Sequence, residues 1–166
     1  MAQDILFKTE EFIFSYRVAG ILIRDEMVLL QRTPDDPGYA FPGGHVSFGE
    51  TNEETLVREF EEEISASIKV NNLRWVGEAF FPWGKKSCQQ IGLYYNIEMI
   101  DDSQIPLSGS FDVYDELDDT KIHLIFSWIP LSEIPNIKIY PANCVELLQD
   151  QSGNIRHFVY NEIENM

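Results

Sequence analysis

The sequence predicts an α/β fold, a mixed β-sheet packed between helices, on three observations. Apolar segments of strand length recur along the chain, only two stretches carry helical character, and several strands lie between those two. With 166 residues and 44% hydrophobic content the chain can bury a substantial core, and residues 1–166 are read as one domain.

Each element has its own signal. Phe12–Phe14 reads as a short strand or arm. Tyr16–Arg24 (YRVAGILIR) is nearly continuous in apolar residues, as a strand covered on both faces would be. Asp25-Glu26 forms a turn into a second strand, Met27–Arg32. Thr33–Gly38 (TPDDPG) is dense in turn formers, and Pro42-Gly43-Gly44 interrupts any regular element. A helix follows from about Thr51 to Ile64, with Thr51 and Glu54 in capping-box spacing. On it Leu56, Val57, Phe60 and Ile64 fall within an arc of roughly 100°. Further strands are expected at Leu73–Glu78, Ile91–Ile100, His123–Ile129 and Ile155–Tyr160, and a second helix at Pro141–Gln149.

Charge narrows the functional classes. Twelve Lys and Arg against 28 Asp and Glu give a formal charge of -16. Such a surface repels nucleic-acid polymers and anionic membranes, whose binding relies on Lys and Arg. No apolar run approaches the roughly 20 residues that span a bilayer. The opening MAQDILFKTEEF lacks the pattern of a secretory signal, so a cytoplasmic protein is expected. Cys88 and Cys144 show no metal-ligand spacing and read as reduced thiols; His45, His123 and His157 read as structural. A small phosphorylated substrate remains compatible with this charge if divalent cations offset the repulsion.

The helix has a second face that supplies a place for such cations. Glu59, Glu62 and Glu63 stand at i, i+3 and i+4, so their carboxylates converge within about 100°. Oxygen-rich clusters of this kind suit Mg²⁺ or Mn²⁺. The alternative is a solvated acidic face in an acidic protein. The preceding segment favours the metal: Gly43-Gly44 permits close backbone approach, five residues separate Gly44 from Glu50, and seven more precede Arg58-Glu59.

This pattern resembles the Nudix box, the signature of the Nudix hydrolases: Gly, five residues, Glu, seven residues, Arg-Glu, an apolar residue, one residue, Glu-Glu, one residue, Gly, an apolar residue. Gly44, Glu50, Arg58, Glu59, Phe60, Glu62 and Glu63 match at the correct spacing, and Ala66 fits the last place loosely. Ser65 departs, standing where the family has Gly. That position is expected in a left-handed conformation, which costs a non-glycine residue about 1–2 kcal/mol. Ala40-Phe41-Pro42 before the box, and Trp128–Leu131 with Glu133-Ile134, also resemble the family.

The resemblance implies the Nudix-type α/β/α sandwich, the mixed sheet lying between helices, and a hydrolase acting on phosphoanhydrides with Mg²⁺ (or Mn²⁺) as cofactor. It implies that Glu59, Glu62 and Glu63 hold the metal, with the Gly43 carbonyl, and that Glu50 lies close as an outer ligand or orienting group. Arg58 is expected to pair with a box carboxylate, alongside an ordinary i, i+4 pair with Glu62. The general base in this family is a box glutamate or an acid on a distant loop. Residues 101–120 read as a long irregular stretch holding seven acids, and Glu116 is the candidate there. For the substrate, Phe80-Phe81-Pro82-Trp83, expected beyond the third strand, offers stacking surfaces, with Phe81 and Trp83 foremost; packing is the other reading. Pro82 lies 16 residues past Ala66, a spacing similar to that of ADP-ribose pyrophosphatases. Arg32, Tyr39 and Gly44 are the remaining substrate-side candidates.

The leading expectation is hydrolysis of a nucleoside diphosphate linked to another moiety, ADP-ribose-like compounds ahead. The alternatives are a nucleoside triphosphate pyrophosphohydrolase and, from another class, a Nudix-like sensor that binds nucleotide without catalysis. The expected partner is a small nucleotide, not a nucleic-acid polymer or a membrane, and a homodimer is left open.

Overall fold

A computed structural model describes residues 3–117 and 120–163. Its strands are β1 (Leu6–Lys8), β2 (Phe12–Arg24), β3 (Met27–Arg32), β4 (Gly43–His45), β5 (Ile68–Trp83), β6 (Lys86–Met99), β7 (Ser110–Leu117), β8 (Thr120–Pro130) and β9 (Arg156–Asn161). The helices are α1 (Asn52–Ile64) and α2 (Asn143–Leu147), with a 3₁₀ helix at Leu131–Asn136. The main path of the sheet runs β7-β8-β3-β2-β6-β5-β9, and β1 and β4 also pair with β2. The pairs β2–β6 and β5–β9 are parallel and the others antiparallel, so the sheet is mixed as expected.

The apolar run of β2 explains the layering. Val18 and Leu22 turn to one face, where they pack with Leu56, Phe60 and Ile64 of α1. Ala19 and Ile21 turn to the other, against Ile134, Cys144, Leu147 and Leu148. A strand apolar on both sides is what a sheet covered on both faces requires.

Helix α1 is fixed at both ends. Thr51 Oγ1 accepts from the Glu54 amide at 3.1 Å, while Glu54 Oε2 accepts from the Thr51 amide at 2.8 Å, completing the capping box. The first turn is tied to the sheet, since the Tyr16 hydroxyl donates to Asn52 Oδ1 at 2.6 Å and Asn52 Nδ2 donates to the Tyr95 hydroxyl at 2.9 Å. At the exit Ser65 adopts the left-handed conformation itself (φ 53°, ψ 38°), and its amide bonds back to Glu61. The substitution of Ser for Gly keeps the helix exit and stores local strain in it.

Several elements differ from the sequence expectation. Phe12–Phe14 is no separate arm; β2 runs unbroken for 13 residues, and β1 lies before it. Gly43-Gly44 lies within a strand, because glycine at 43 lets β4 press against β2. A Cβ there would stand 2.0 Å from the Val18 carbonyl oxygen. Phe80–Trp83 belongs to β5 and pairs with Lys86–Gln89 around a two-residue turn, with Gly84 at φ +62°. The stretch 101–120 is not irregular throughout: Ser110–Leu117 is strand β7, paired antiparallel with β8. Helix α2 is shorter than expected, covering only Asn143–Leu147. Cys88 and Cys144 are free and buried.

Candidate functional site

The site grows from one face of α1 and the strand beside it. β4 brings Gly44 so close to α1 that a Cβ on it would lie 2.3 Å from Glu59 Cδ, so the Glu59 carboxylate rests against bare backbone. Arg58 organises the surrounding acids. Its Nε and Nη2 donate to the two oxygens of Glu50, at 2.9 and 3.1 Å, in a bidentate pair. Its Nη1 donates to Glu59 at 3.0 Å and to Glu62 at 3.2 Å, and Nη2 also reaches Ser47 Oγ at 3.1 Å. Thr55 Oγ1 completes the shell of Glu50 at 2.7 Å. A planar guanidinium suits this task because its donors spread in a fixed fork.

The acids do not share one electrostatic state. Hydrogen bonds from Arg58 and Thr55 hold Glu50 below the usual carboxylate range. Glu59 is raised, because burial outweighs the Arg58 charge. Glu63 is pushed up to about 7, first by burial and then by the charge of Glu59. A partly buried carboxyl beside another acid is a place where a cation gains most.

The donor set fits a hard divalent ion, since Glu59, Glu62 and Glu63 offer carboxylate oxygens from one helix face. Among the described residues, however, no trio of His, Cys, Asp or Glu is gathered to hold an ion as the side chains stand. Arg58 engages one oxygen each of Glu59 and Glu62.

Over β2, β6 and β5 a cavity of about 440 Å³ opens, lined in part by Val18, the partner of Gly44. Phe81, Tyr94, Tyr140 and Tyr160 supply rings to its walls, Asp36 and Glu162 supply acceptors, and Arg17 and Lys138 supply charge. Among the substrate-side candidates Phe81 lines this cavity, whereas Arg32, Tyr39, Gly44 and Trp83 do not. Arg32 donates to the carbonyls of Thr33, Pro34 and Asp36 and stacks on Tyr39 at 5.7 Å, clamping the loop before the glycines. Trp83 stacks between His45 (6.2 Å) and Phe81 (6.5 Å), with Lys8 Nζ over its ring.

Glu116 is exposed near the end of β7, opposite Lys121 of β8. Strand alternation puts its neighbour Asp115 on the same face as Phe111 and Val113, which pack into the α1-side core. It is the charge of Asp115 that reaches Glu63. Asp118 and Asp119, acids of the same stretch, lie outside the described residues. Two residues near the site went unassigned to it in the sequence. Arg17 sits in an apolar run whose strand pattern drew the attention, and His45 had no ligand spacing to mark it. Their signal is positional: His45 directly follows the glycines on β4, and Arg17 lies on the strand paired with them.

The NUDIX domain family matches residues 15–148. An ADP-ribose pyrophosphatase of Methanocaldococcus jannaschii is 42% identical over 59 residues, covering 34% of this chain and 35% of that protein. The match thus spans about a third of that relative's length. Among solved structures, a UDP-X diphosphatase superposes with a TM-score of 0.61 at 18% identity, over 92% of this chain and 68% of the other. An ADP-ribose pyrophosphatase from Streptococcus suis gives 0.57 at 11% identity, over 86% and 98%. A MutT protein from Bacillus halodurans gives 0.57 at 18%, over 89% and 91%. At these identities the structures speak for the fold. The family match covers most of the chain, including the glycines, the capped helix and the strand that carries Arg17: the chain belongs to the NUDIX domain family.

Proposed function

We propose that this protein is a divalent-metal-dependent pyrophosphohydrolase. It cleaves a phosphoanhydride in a nucleoside diphosphate linked to another moiety, with an ADP-ribose-like compound as the leading substrate. The observation that carries this reading is the adjacency of two unlike surfaces. Gly44, which backs Glu59 of the acidic helix face, pairs with Val18, and Val18 and Ala19 line a cavity walled by aromatic rings. The first suits a cation and the phosphates it accompanies, and the second suits a nucleobase. The likeness to the pyrophosphatase of M. jannaschii supports the choice of substrate class.

Glu59, Glu62 and Glu63 would hold Mg²⁺ or Mn²⁺, with the Gly43 carbonyl, and Glu50 would stand behind them. Such an ion, when bound, neutralises phosphate oxygens and makes a nearby water more acidic. The remaining roles belong to the chain. Arg58 fixes Glu50 and releases Glu59 and Glu62 toward a cation, acting as a positioning residue. For the proton of the attacking water, the candidates are a box glutamate and the β7 acids. Glu116 comes from the sequence; Asp115 is added by its place on the α1 side of the strand. Phe81 faces the base, while Asp36 and Glu162 at the cavity offer acceptors to an exocyclic amino group.

The test is a panel of ADP-ribose, other nucleoside diphosphate conjugates and nucleoside triphosphates with Mg²⁺ or Mn²⁺, reading the phosphorylated products. Release of a nucleoside monophosphate from a diphosphate conjugate is the expected result. Pyrophosphate release from triphosphates alone would move the assignment to a triphosphate pyrophosphohydrolase. Tight binding without turnover would make the protein a nucleotide sensor.

A further inference from the structure

Five of the six arginines are committed to partners. Arg24 pairs with Asp102, Arg58 with Glu50, and Arg156 with Asp150, while Arg32 and Arg74 donate to backbone carbonyls. Among the described residues Arg17 has neither an ion pair nor a hydrogen bond. It is only partly exposed, and its side chain lines the cavity. Half-burying an unpaired guanidinium is costly, and in a protein of net charge -16 an acidic partner is seldom far. Leaving it unpaired is explained by a ligand.

The surroundings say which ligand. Arg17 is the cross-strand neighbour of His45, whose buried Nε2 has no hydrogen-bond partner, so two adjacent polar groups stand unpaired. Lys138, the cavity's other cation, lies 4.8 Å over the Tyr140 ring and is already engaged. Arg17 lines the cavity beside Val18, whose cross-strand partner Gly44 backs Glu59, and its charge is felt at Glu59 and Glu63, so it links the acidic helix face to the cavity. An anion there would touch both halves of the site.

We propose that Arg17 binds the substrate phosphate on the nucleoside side of the scissile bond, at the junction of the acidic face and the cavity. The inference rests on the nucleotide reading given above and deepens it. A forked guanidinium takes two phosphate oxygens at once, orienting the phosphate as well as attracting it. It also supplies an uncommitted positive charge with which a phosphorylated ligand can enter before any cation has bound.

The probe is inorganic pyrophosphate, titrated calorimetrically into the full chain in the presence of a chelator. Wild-type protein is expected to bind it. Arg17→Gln should weaken binding by about 10- to 100-fold, the loss of one charge-assisted contact, and Arg17→Lys should fall between. Because Arg17 has no partner among the described residues, the melting temperature of Arg17→Gln should equal or exceed that of the wild type. Binding within twofold of wild type in Arg17→Gln, no binding by the wild type, or a lowered melting temperature accompanying the loss would each overturn the assignment. Failure of the substrate panel with Arg17-dependent pyrophosphate binding intact would remove the hydrolase reading alone.

Discussion

Gly44 and Glu59 share a space that admits only one of two things, a side chain on residue 44 or the carboxylate of residue 59. A Cβ at Gly44 would fall 2.3 Å from Glu59 Cδ. The neighbouring Gly43 is crowded differently, with the Val18 carbonyl oxygen 2.0 Å from where its Cβ would be. A carboxylate at the end of a flexible side chain moves aside readily; a strand carbonyl does not. Gly44→Ala should therefore melt within a few degrees of wild type yet lose metal affinity and activity. Gly43→Ala should be destabilised by about 2–3 kcal/mol, at the upper end for overpacking. Thermal melts and metal titration of the two variants separate the cases; equal loss of stability in both would refute the distinction.

Glu63 carries the most perturbed acid of the helix face, pushed up to about 7 by burial and by Glu59. Glu63→Gln should reduce kcat by two orders of magnitude or more if that carboxylate serves the ion, since electrostatic groups of this kind contribute about 10²–10³. The same variant should abolish stabilisation by metal. For the wild type, Mn²⁺ at 100 times its Kd should add about 2.7 kcal/mol by mass action. Identical melting curves in Mn²⁺ and in chelator would show that these side chains hold no ion.

On the proposed substrate site, Phe81 and Trp83 should contribute unequally. Phe81 lines the cavity, whereas Trp83 stacks behind it against His45. Loss of a base-stacking ring costs about 1–3 kcal/mol, so Phe81→Ala should raise KM for a nucleotide by roughly 10- to 100-fold. The change in kcat should be smaller, because stacking is felt alike in ground and transition states. Trp83→Ala should have the weaker effect. A larger loss for Trp83→Ala, or equal losses for substrates lacking a base, would return both rings to packing roles.

Ser65 ends α1 in the left-handed region with φ 53°. Ser65→Gly should relieve that strain and stabilise the protein by about 1 kcal/mol, part of the gain being offset by the freer unfolded glycine. Chemical denaturation reads this directly as a shift in midpoint at constant slope. Unchanged or lowered stability would place the tension elsewhere.

What was legible in the sequence follows from the range of the interactions. The capping box of Thr51 and Glu54 spans three residues, so it could be read by eye, and α1 runs where that spacing put it. The same holds for the turn at Asp25-Glu26, where both residues take positive φ. Strand β7 was hidden because its inward Phe111 and Val113 alternate with acids and Tyr114, a pattern indistinguishable from a solvated loop until β8 is beside it. Phe80–Trp83 continues a strand that local pattern ends at Glu78, Pro82 included. At the end of a hairpin a missing donor disrupts little of the ladder. Arg17 was beyond local inference altogether, since an arginine without a partner is a fact about distant carboxylates.

Strand β2 is bonded to β6 along one side and to β1, β4 and β3 along the other. It therefore acts as a common beam. The acidic helix face reaches it through Gly43-Gly44, and the cavity reaches it through Ala19 and Arg17. The outer part of the cavity wall comes from pieces that are not paired with the beam: Phe81 near a hairpin tip, Lys138 and Tyr140 in a connecting loop, Tyr160 on the outermost strand. Mutation can redraw that outer wall without disturbing the alignment of the carboxylates. The architecture thus lets what is recognised diverge between descendants while how it is cut is inherited.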